Sequence, residues 1–345
     1  MAVFAIVLAG GAGTRFWPAS RAARPKQLLA LVGHESLLAA TVARVAPVVP
    51  AERVVVATGA HLLDATRAAL PHVPAENFLA EPVPRNTAPA IAWATHAIAA
   101  RDPDAICMVL PSDHFIAKPA EFLAAASRAI DAARAGHLVT LGIRPTRPDT
   151  GFGYVEPAGA ATEGPWTKVK SFVEKPSREG AEVFIERGYL WNAGMFFFAA
   201  RTMQAALARY LPDVAELAPQ GAASFASMKS ISIDYGVMQD AARDGRVVTV
   251  AGDFGWSDLG SWQSAWELAA RDENDNVLPD GSVAIDARGN LVWERAASGR
   301  TYALVGVNDL VVVETEDAVL IVPRDRAQDV KLVVDKLKSI GSRKI

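Results

Sequence analysis

The stretch Val3-Phe-Ala-Ile-Val-Leu8-Ala9-Gly10-Gly11-Ala-Gly13-Thr14-Arg15-Phe16-Trp17-Pro18-Ala-Ser20-Arg21 decides how the rest of the chain is read. Its apolar part, Phe4 to Leu8, has the length of a strand and runs straight into a glycine cluster. Glycines at the end of a strand let backbone N–H groups approach phosphates without side-chain obstruction. Working outward, short Val/Ile runs alternate with Ala/Leu-rich stretches: Leu37 to Val45, Arg53 to Ala57, His61 to Leu70, Thr87 to Ala100 and Ile106 to Leu110. The Ala-rich stretches suit helices and the β-branched ones strands. This alternation predicts an α/β fold with helices flanking a parallel sheet.

After Gly136 the pattern loosens, with a proline-rich stretch from Pro145 to Pro148, then Gly151-Phe-Gly153-Tyr154 and a strand candidate from Lys168 to Val173. Helices are expected at Pro176 to Arg187 and Arg201 to Leu211, and a strand at Arg246 to Ala251. Beyond Asn276 the segments shorten and become β-branched: Ser282 to Asp286, Asn290 to Trp293, Tyr302 to Val307, Leu310 to Glu314 and Ala318 to Pro323. Asp280-Gly281, Arg288-Gly289-Asn290 and Asn308-Asp309 supply turns between them, so residues 276–345 read as a small all-β appendage to a 1–270 body. From Arg326 to Leu337, the residues Ala327, Val330, Val333, Val334 and Leu337 share one helical face. No strict repeat period is visible, which argues against a full solenoid.

Composition excludes several classes. The 345 residues carry 35 Lys+Arg against 38 Asp+Glu, a formal charge of −3. This provides neither the basic surplus of a nucleic-acid-binding surface nor the acidic excess of a disordered tail. An anionic ligand must therefore be met by a few placed cations. The single cysteine, Cys107, lies in the apolar run Ala105 to Leu110 and reads as a buried strand residue. The N-terminal apolar run lacks a basic flank and is too short to cross a bilayer, and no other stretch approaches about 20 apolar residues. A cytoplasmic protein with no membrane partner is expected.

The glycine run differs from two familiar phosphate loops. A P-loop needs Gly-Lys-Ser/Thr, and the dinucleotide fingerprint needs a third glycine that this run does not supply. Arg15 instead sets a guanidinium beside the loop, suited to charge on a departing pyrophosphate, and Lys26 adds a second cation. With Pro25-Lys26-Gln27-Leu28 the stretch resembles the opening signature of the sugar-phosphate nucleotidyltransferases, and Trp17-Pro18-Ala-Ser20-Arg21 points to the guanylyltransferase branch acting on mannose 1-phosphate. Further matches follow in order: Glu81-Pro82-Val-Pro-Arg85-Asn86-Thr87-Ala88-Pro89-Ala90, Pro111-Ser112-Asp113-His114, Gly151-Phe-Gly153-Tyr154, Phe172-Val-Glu174-Lys175-Pro176, Trp191-Asn192-Ala-Gly194-Met195-Phe196, Ser232-Ile-Asp234-Tyr235 and Gly255-Trp256-Ser257-Asp258-Leu-Gly260-Ser261-Trp262. The resemblance covers residues 3 to 270.

This resemblance implies a Rossmann-like, mixed and mostly parallel sheet of the nucleotidyltransferase fold, followed by a small β-helix-like domain. It implies transfer of GMP from GTP to mannose 1-phosphate with Mg²⁺, and a homodimer, for which the exposed edges of the β appendage are suited. By residue, it implies that Leu8, Ala9, Gly10, Gly11, Gly13, Thr14, Arg85, Asn86 and Ser112 bind the nucleotide, and that Arg15, Lys26, Asp113 and Asp258 are catalytic. Asp113 and Asp258 would be the metal pair. Read from the residues alone, Asp113 follows an apolar strand, where open α/β sheets bind ligands, but a turn or helix-cap role is as compatible. Gly153, Glu174, Lys175 and Asn192 would bind the sugar phosphate, with Pro176 opening a helix and Lys175 pointing outward before it. Thr87 is expected to cap the helix that follows it. The tryptophans 256, 262 and 266 read as packing residues. The residue count beyond 270 is smaller than the isomerase domain fused to some similar enzymes.

Competing chemistries fit less well. The six histidines, all at or before His137, show no metal-ligand spacing and read as isolated surface or cap residues. Ser257, in Gly255-Trp-Ser257-Asp-Leu259, lacks the second glycine of a nucleophile elbow and no histidine follows it. A glycosyltransferase would use an Asp-x-Asp motif, which Pro111-Ser112-Asp113 does not form. Transfer to another hexose 1-phosphate, and a non-catalytic paralogue that binds a nucleotide sugar, remain the alternatives. Arg15, Lys26, Asp113, Lys175 and Asp258 together argue against the second.

Overall fold

The computed structural model describes residues 1–11, 13–159, 164–295 and 299–345, so Ala12 of the glycine run lies outside the described residues. The chain divides into two compact units, neither continuous in sequence. The first comprises Met1–Gly10, Thr41–Ser112 and Ile116–Trp256, and the second Gly11–Ala40, Asp113–Phe115 and Ser257–Ile345.

The first unit is built on a nine-stranded sheet. Its strands are β1 (Val3–Ala9), β2 (Val54–Gly59), β3 (Phe78–Glu81), β4 (Ile106–Pro111), β5 (Leu138–Ile143), β6 (Gly153–Pro157), β7 (Thr167–Glu174), β8 (Leu190–Ala199) and β9 (Val247–Gly252). They lie in the order β3-β2-β1-β4-β8-β5-β9-β7-β6. The half from β3 to β4 is parallel, as the alternating pattern predicts. β8 then pairs antiparallel with both β4 and β5 and makes the sheet mixed, while β5 and β9 are again parallel. β1 and β4 are buried on both faces, hence their unbroken apolar runs. The core gathers Ile6, Val109, Phe196, Phe198 and Val247 with Cys107, whose thiol pKa is driven up by burial and then by Asp102.

Two predicted helix starts need correction. The helix Thr87–Arg101 is capped by Asn86 rather than Thr87: Asn86 Oδ1 accepts from the Thr87 N–H at 2.8 Å. Thr87 is spent elsewhere, its Oγ1 accepting from the Ile233 N–H at 2.9 Å. Pro176 does not open the next helix. That helix is Arg178–Glu186, and Ser177 caps it by accepting from the Gly180 N–H at 3.2 Å. A serine hydroxyl at the cap satisfies a first-turn amide that a proline ring could not.

In the second unit the glycine-run segment and the C-terminal region share one core. Phe16, Trp17, Leu29 and Leu31 pack with Trp262, Leu291, Val311, Val313, Val330 and Val334. Trp17 Nε1 donates to the Lys344 carbonyl at 2.7 Å, and Phe16 meets Trp262 edge-on with ring centroids 5.0 Å apart. The β region contains β10 (Val283–Ile285), β11 (Leu291–Glu294), β12 (Ala303–Val305), β13 (Leu310–Glu314) and β14 (Val319–Pro323). Here the β-helix-like arrangement expected of this region is present, in a short form. β10 pairs parallel with β12, and β11 with β13, both at an offset of 20 residues (Val283 with Ala303, Leu291 with Val311). A ladder of buried asparagines holds these coils: Asn276 Oδ1 accepts from the Asn290 N–H, and Asn290 Oδ1 from the Leu310 N–H, each at 3.0 Å. The closing helix, Val330–Ser339, buries Val330 and Val334, whereas Val333 is exposed. Among the described residues no helix is long and apolar enough to cross a membrane.

Candidate active site

In the second unit a cavity of about 390 Å³ is lined by Gly13, Thr14, Arg15, Lys26, Asp113 and Asp258, with Phe16, His114, Leu259, Gly260 and Lys331. Lys26 organises it. Its ammonium donates to Asp113 Oδ2 at 3.0 Å and to the Asp258 carbonyl at 2.6 Å, drawing together residues 87 and 232 positions away. The lysine side chain is only 6% exposed, and its two contacts to oxygens supply the partners that a buried ammonium needs. Gly13 is what allows this approach. It is left-handed at φ +54, and a Cβ built on it would lie 2.9 Å from the Lys26 backbone nitrogen. Ser20 Oγ donates to the Gly13 carbonyl at 2.7 Å and fastens the turn. Arg15 Nη1 reaches the Gly260 carbonyl at 3.4 Å. Burial opposes ionisation of Asp113, but the Lys26 ammonium, His114 and the Lys26 hydrogen bond together hold its carboxyl below the ordinary aspartate range.

The metal reading of Asp113 and Asp258 has a matching donor set. Both line the one cavity, and Mg²⁺ is commonly held by one or two carboxylates together with substrate phosphates. Among the described residues no group of three or more His, Cys, Asp or Glu surrounds a metal position, so protein ligands alone would not fill its shell.

In the first unit the remaining predicted residues fall into two groups. Leu8 and Ala9 end β1, Arg85 and Asn86 follow β3, and Ser112 follows β4, so all lie along the carboxyl edge of the parallel half-sheet. This is where open α/β sheets take ligands. The Ser112 N–H extends the ladder to the Leu8 carbonyl at 3.1 Å. Arg85 Nη2 donates to the Ala226 carbonyl, while its Nε is buried without a partner among the described residues. Gly10, and Gly11 of the second unit, have open space where a Cβ would stand, so in them it is the bare backbone that is presented.

The second group joins Gly153, Glu174, Lys175 and Asn192. Lys175 Nζ lies 2.7 Å from Glu174 Oε1, and a Cβ on Gly153 would collide with Glu174 Oε2. Asn192 is buried and engaged at both polar atoms: its Oδ1 accepts from Thr140 Oγ1 at 2.7 Å and from the Gly194 N–H at 3.2 Å, and its Nδ2 donates one N–H to Asp234 Oδ1 at 2.9 Å. Burial would lower the Lys175 pKa, but the Glu174 hydrogen bond and the charges of Glu174, Tyr235 and Asp234 hold it above the usual lysine value. Asp234 is pushed up to about 6, by burial first and then by the Glu174 charge. Lys175 stands at φ +51 and Leu259, beside Asp258, at φ +48. Such backbone costs a non-glycine residue about 1–2 kcal/mol and persists where the surroundings impose it.

The nucleotidyl transferase family model matches residues 4–275 of this chain. The chain belongs to the nucleotidyl transferase family. A second model, for the mannose-phosphate isomerase/GMP-like β-helix domain, matches residues 280–337 of this nucleotidyl transferase, in agreement with the 20-residue coils. The xanthan biosynthesis protein XanB of Xanthomonas campestris pv. campestris (strain B100) is 41% identical over 355 residues, spanning 98% of this chain and 74% of the relative. The mannose-1-phosphate guanylyltransferase of Escherichia coli (strain K12) is 37% identical over 361 residues, again covering 98% and 74%. The crystal structure of mannose-1-phosphate geranyltransferase from Thermus thermophilus superposes with a TM-score of 0.88 at 38% identity, covering 98% of this chain and all of that one.

Three residues of this nucleotidyl transferase's sites escaped the sequence reading. His114 is not an isolated surface histidine: its Nε2 lies 3.9 Å from Asp113 Oδ1 and it lines the cavity. Its place directly after Asp113 was the available signal. Asp234 sits in a matched motif and opens the π-helical turn Asp234–Met238, a local distortion frequent at functional sites. Lys331 lies far beyond the last catalytic-domain motif and gave no signal. The tryptophans pack as expected, Trp262 fully buried and Trp256 against Phe152 at 5.2 Å.

Proposed function

We propose that this nucleotidyl transferase moves GMP from GTP to α-D-mannose 1-phosphate, giving GDP-mannose and pyrophosphate with Mg²⁺ as cofactor. The observation that carries this reading is the cavity in which Lys26 joins Asp113 to the Asp258 carbonyl beside Arg15 and the glycine turn. Relatives named mannose-1-phosphate guanylyltransferase, alike over nearly the whole chain, support the choice of substrates.

A phosphate oxygen of mannose 1-phosphate attacks the α-phosphorus of GTP in line. The bond from that phosphorus to the bridging oxygen breaks, and pyrophosphate leaves with its electron pair. The protein supplies no covalent intermediate, only position and charge. Arg15 and Lys26 face the negative charge that develops on the leaving group. Lys26 is fixed beforehand by its two oxygen partners, so little reorganisation accompanies the reaction. Mg²⁺ held by Asp113 and Asp258 would neutralise phosphate oxygens. Glu174 and Asp234 accept from sugar hydroxyls, Lys175 meets the sugar phosphate, and Asn192, its polar atoms already engaged, holds Asp234 in place.

The test is pyrophosphate release by purified protein with Mg²⁺ across the four common NTPs and several hexose 1-phosphates. GTP with mannose 1-phosphate should give the highest kcat/KM. No release with any pair, while GDP-mannose still binds, would replace the enzyme reading with a nucleotide-sugar-binding one.

A further inference from the structure

We infer that Lys331, from the C-terminal helix Val330–Ser339, is a third phosphate-binding residue of the glycine-turn cavity and holds the pyrophosphate portion of the nucleotide. The inference rests on the nucleotidyl-transfer reading above and adds a residue from the β-helix-like region to it. Charge on the cavity wall makes the case. Arg15 and Lys26 are balanced by Asp113 and Asp258, two cations against two carboxylates, and Lys331 is the charge left over. Before a metal binds, the cavity's net attraction for a polyphosphate therefore comes from Lys331. Lys26 is engaged with protein oxygens and Arg15 leans on Gly260, whereas the Lys331 ammonium makes no ion pair or hydrogen bond among the described residues.

The helix explains why this lysine and no other reaches the cavity. Val330 and Val334 are buried in the core with Phe16 and Trp17, and the helix packs on the Thr14–Phe16 turn. At 100° per residue, Lys331 lies on the flank of that buried face, beside the turn. Lys338 shares the flank but is seven residues on, about 10 Å along the axis. Lys336 points away from the buried face. Lys336 and Lys338 lie in the last helical turn, where a cation interacts favourably with the helix dipole. Lys331 lies in the first turn, where the dipole gives a cation nothing, so helix stability does not account for it.

The experiment compares wild type with Lys331→Met, which keeps the aliphatic stem, Lys331→Arg, which restores the charge, and Lys336→Ala as a control on the same helix. Steady-state kinetics are run in both directions, and pyrophosphate binding with Mg²⁺ is measured by calorimetry without turnover. Lys331→Met should raise KM for GTP and for pyrophosphate, and the pyrophosphate Kd, about tenfold. KM for mannose 1-phosphate and the melting temperature should stay as in wild type, Lys331→Arg should recover most of the loss, and Lys336→Ala should change nothing. Unchanged pyrophosphate affinity in Lys331→Met, or an equal loss in Lys336→Ala, overturns the assignment. If wild type binds pyrophosphate but transfers no nucleotide, the nucleotidyl-transfer reading fails by itself, and calorimetry still decides the role of Lys331.

Discussion

Lys26 and Lys175 each pair with a carboxylate, but the two pairs are built differently. Lys26 is 6% exposed and bonded to two oxygens, while the Lys175 side chain is 59% exposed with Glu174 as its partner. The acids around them shift in opposite directions. Asp113 is held below the ordinary aspartate range, whereas Asp234 is pushed up to about 6. A buried lysine tied to a fully ionised carboxylate is a fixed field, suited to charge that appears on a phosphate. An exposed lysine beside a carboxyl that ionises with difficulty suits a ligand that brings both hydroxyls and a phosphate. The chain thus concentrates rigidity in the residues around Lys26 and retains adaptability around Lys175.

The largest effect should come from breaking the rigid pair. Asp113→Asn removes the charge that anchors Lys26 and one carboxylate of the proposed metal pair, and kcat should fall about 10³–10⁴-fold. Steady-state pyrophosphate release measures this, and turnover near wild type would remove Asp113 from the catalytic group. Gly13→Ala comes next. The added methyl meets the Lys26 main chain on left-handed backbone, so kcat should drop about 10²-fold from misplacement, with a further loss of about 1–2 kcal/mol in stability. A normal melting curve together with normal kcat would show that the turn does not depend on this contact.

The adaptable pair is probed through Asp234. Its pKa is raised on folding from 3.8 to about 6, so the unfolded chain ionises first as pH rises. The stability its protonated form provides is complete below about pH 4 and is lost as pH rises through about 6. Asp234→Asn keeps an oxygen for Asn192 Nδ2 and removes this loss. At about pH 7 the variant should therefore be about 2–3 kcal/mol more stable than wild type, and equally stable near about pH 4. Denaturant unfolding at the two pH values decides it, and a constant difference between them would mean that Asp234 does not titrate in this range.

What could be read in the sequence follows the range of each interaction. Strands β1 and β4 and the helix Thr87–Arg101 were legible because burial on both faces and alanine density are local signals. β8 was not, since Trp191-Asn192-Ala-Gly194 interrupts the apolar run that continues as Met195-Phe-Phe-Phe198. The 20-residue coils were hidden because the repeat is short and weak, Leu291-Val-Trp-Glu294 against Val311-Val-Val-Glu314 keeping two identical residues, while its asparagine ladder joins differently spaced positions. Arg15, Lys26, Asp113 and Asp258 were legible as separate motifs, and the structure brings them to one cavity wall. Lys331 was not legible, because only the tertiary packing of Val330 and Val334 against Phe16 sets it beside that wall.

The smallest effect separates charge from backbone at Lys175. Lys175→Ala removes the ammonium and should raise KM for mannose 1-phosphate about tenfold, leaving KM for GTP unchanged, as expected of a group that meets only the sugar phosphate. Lys175→Gly removes the same charge and also relieves the left-handed strain at φ +51. Glycine adopts that conformation without a Cβ penalty, so the glycine variant should be more stable than the alanine variant by about 1 kcal/mol, less the entropy glycine gains on unfolding. If the two variants share the KM change but differ in melting temperature, the strain belongs to the backbone and the affinity to the charge. Equal melting temperatures would show that the turn before Pro176 relaxes once the Glu174 contact is gone, so that the ion pair itself imposes the strained backbone.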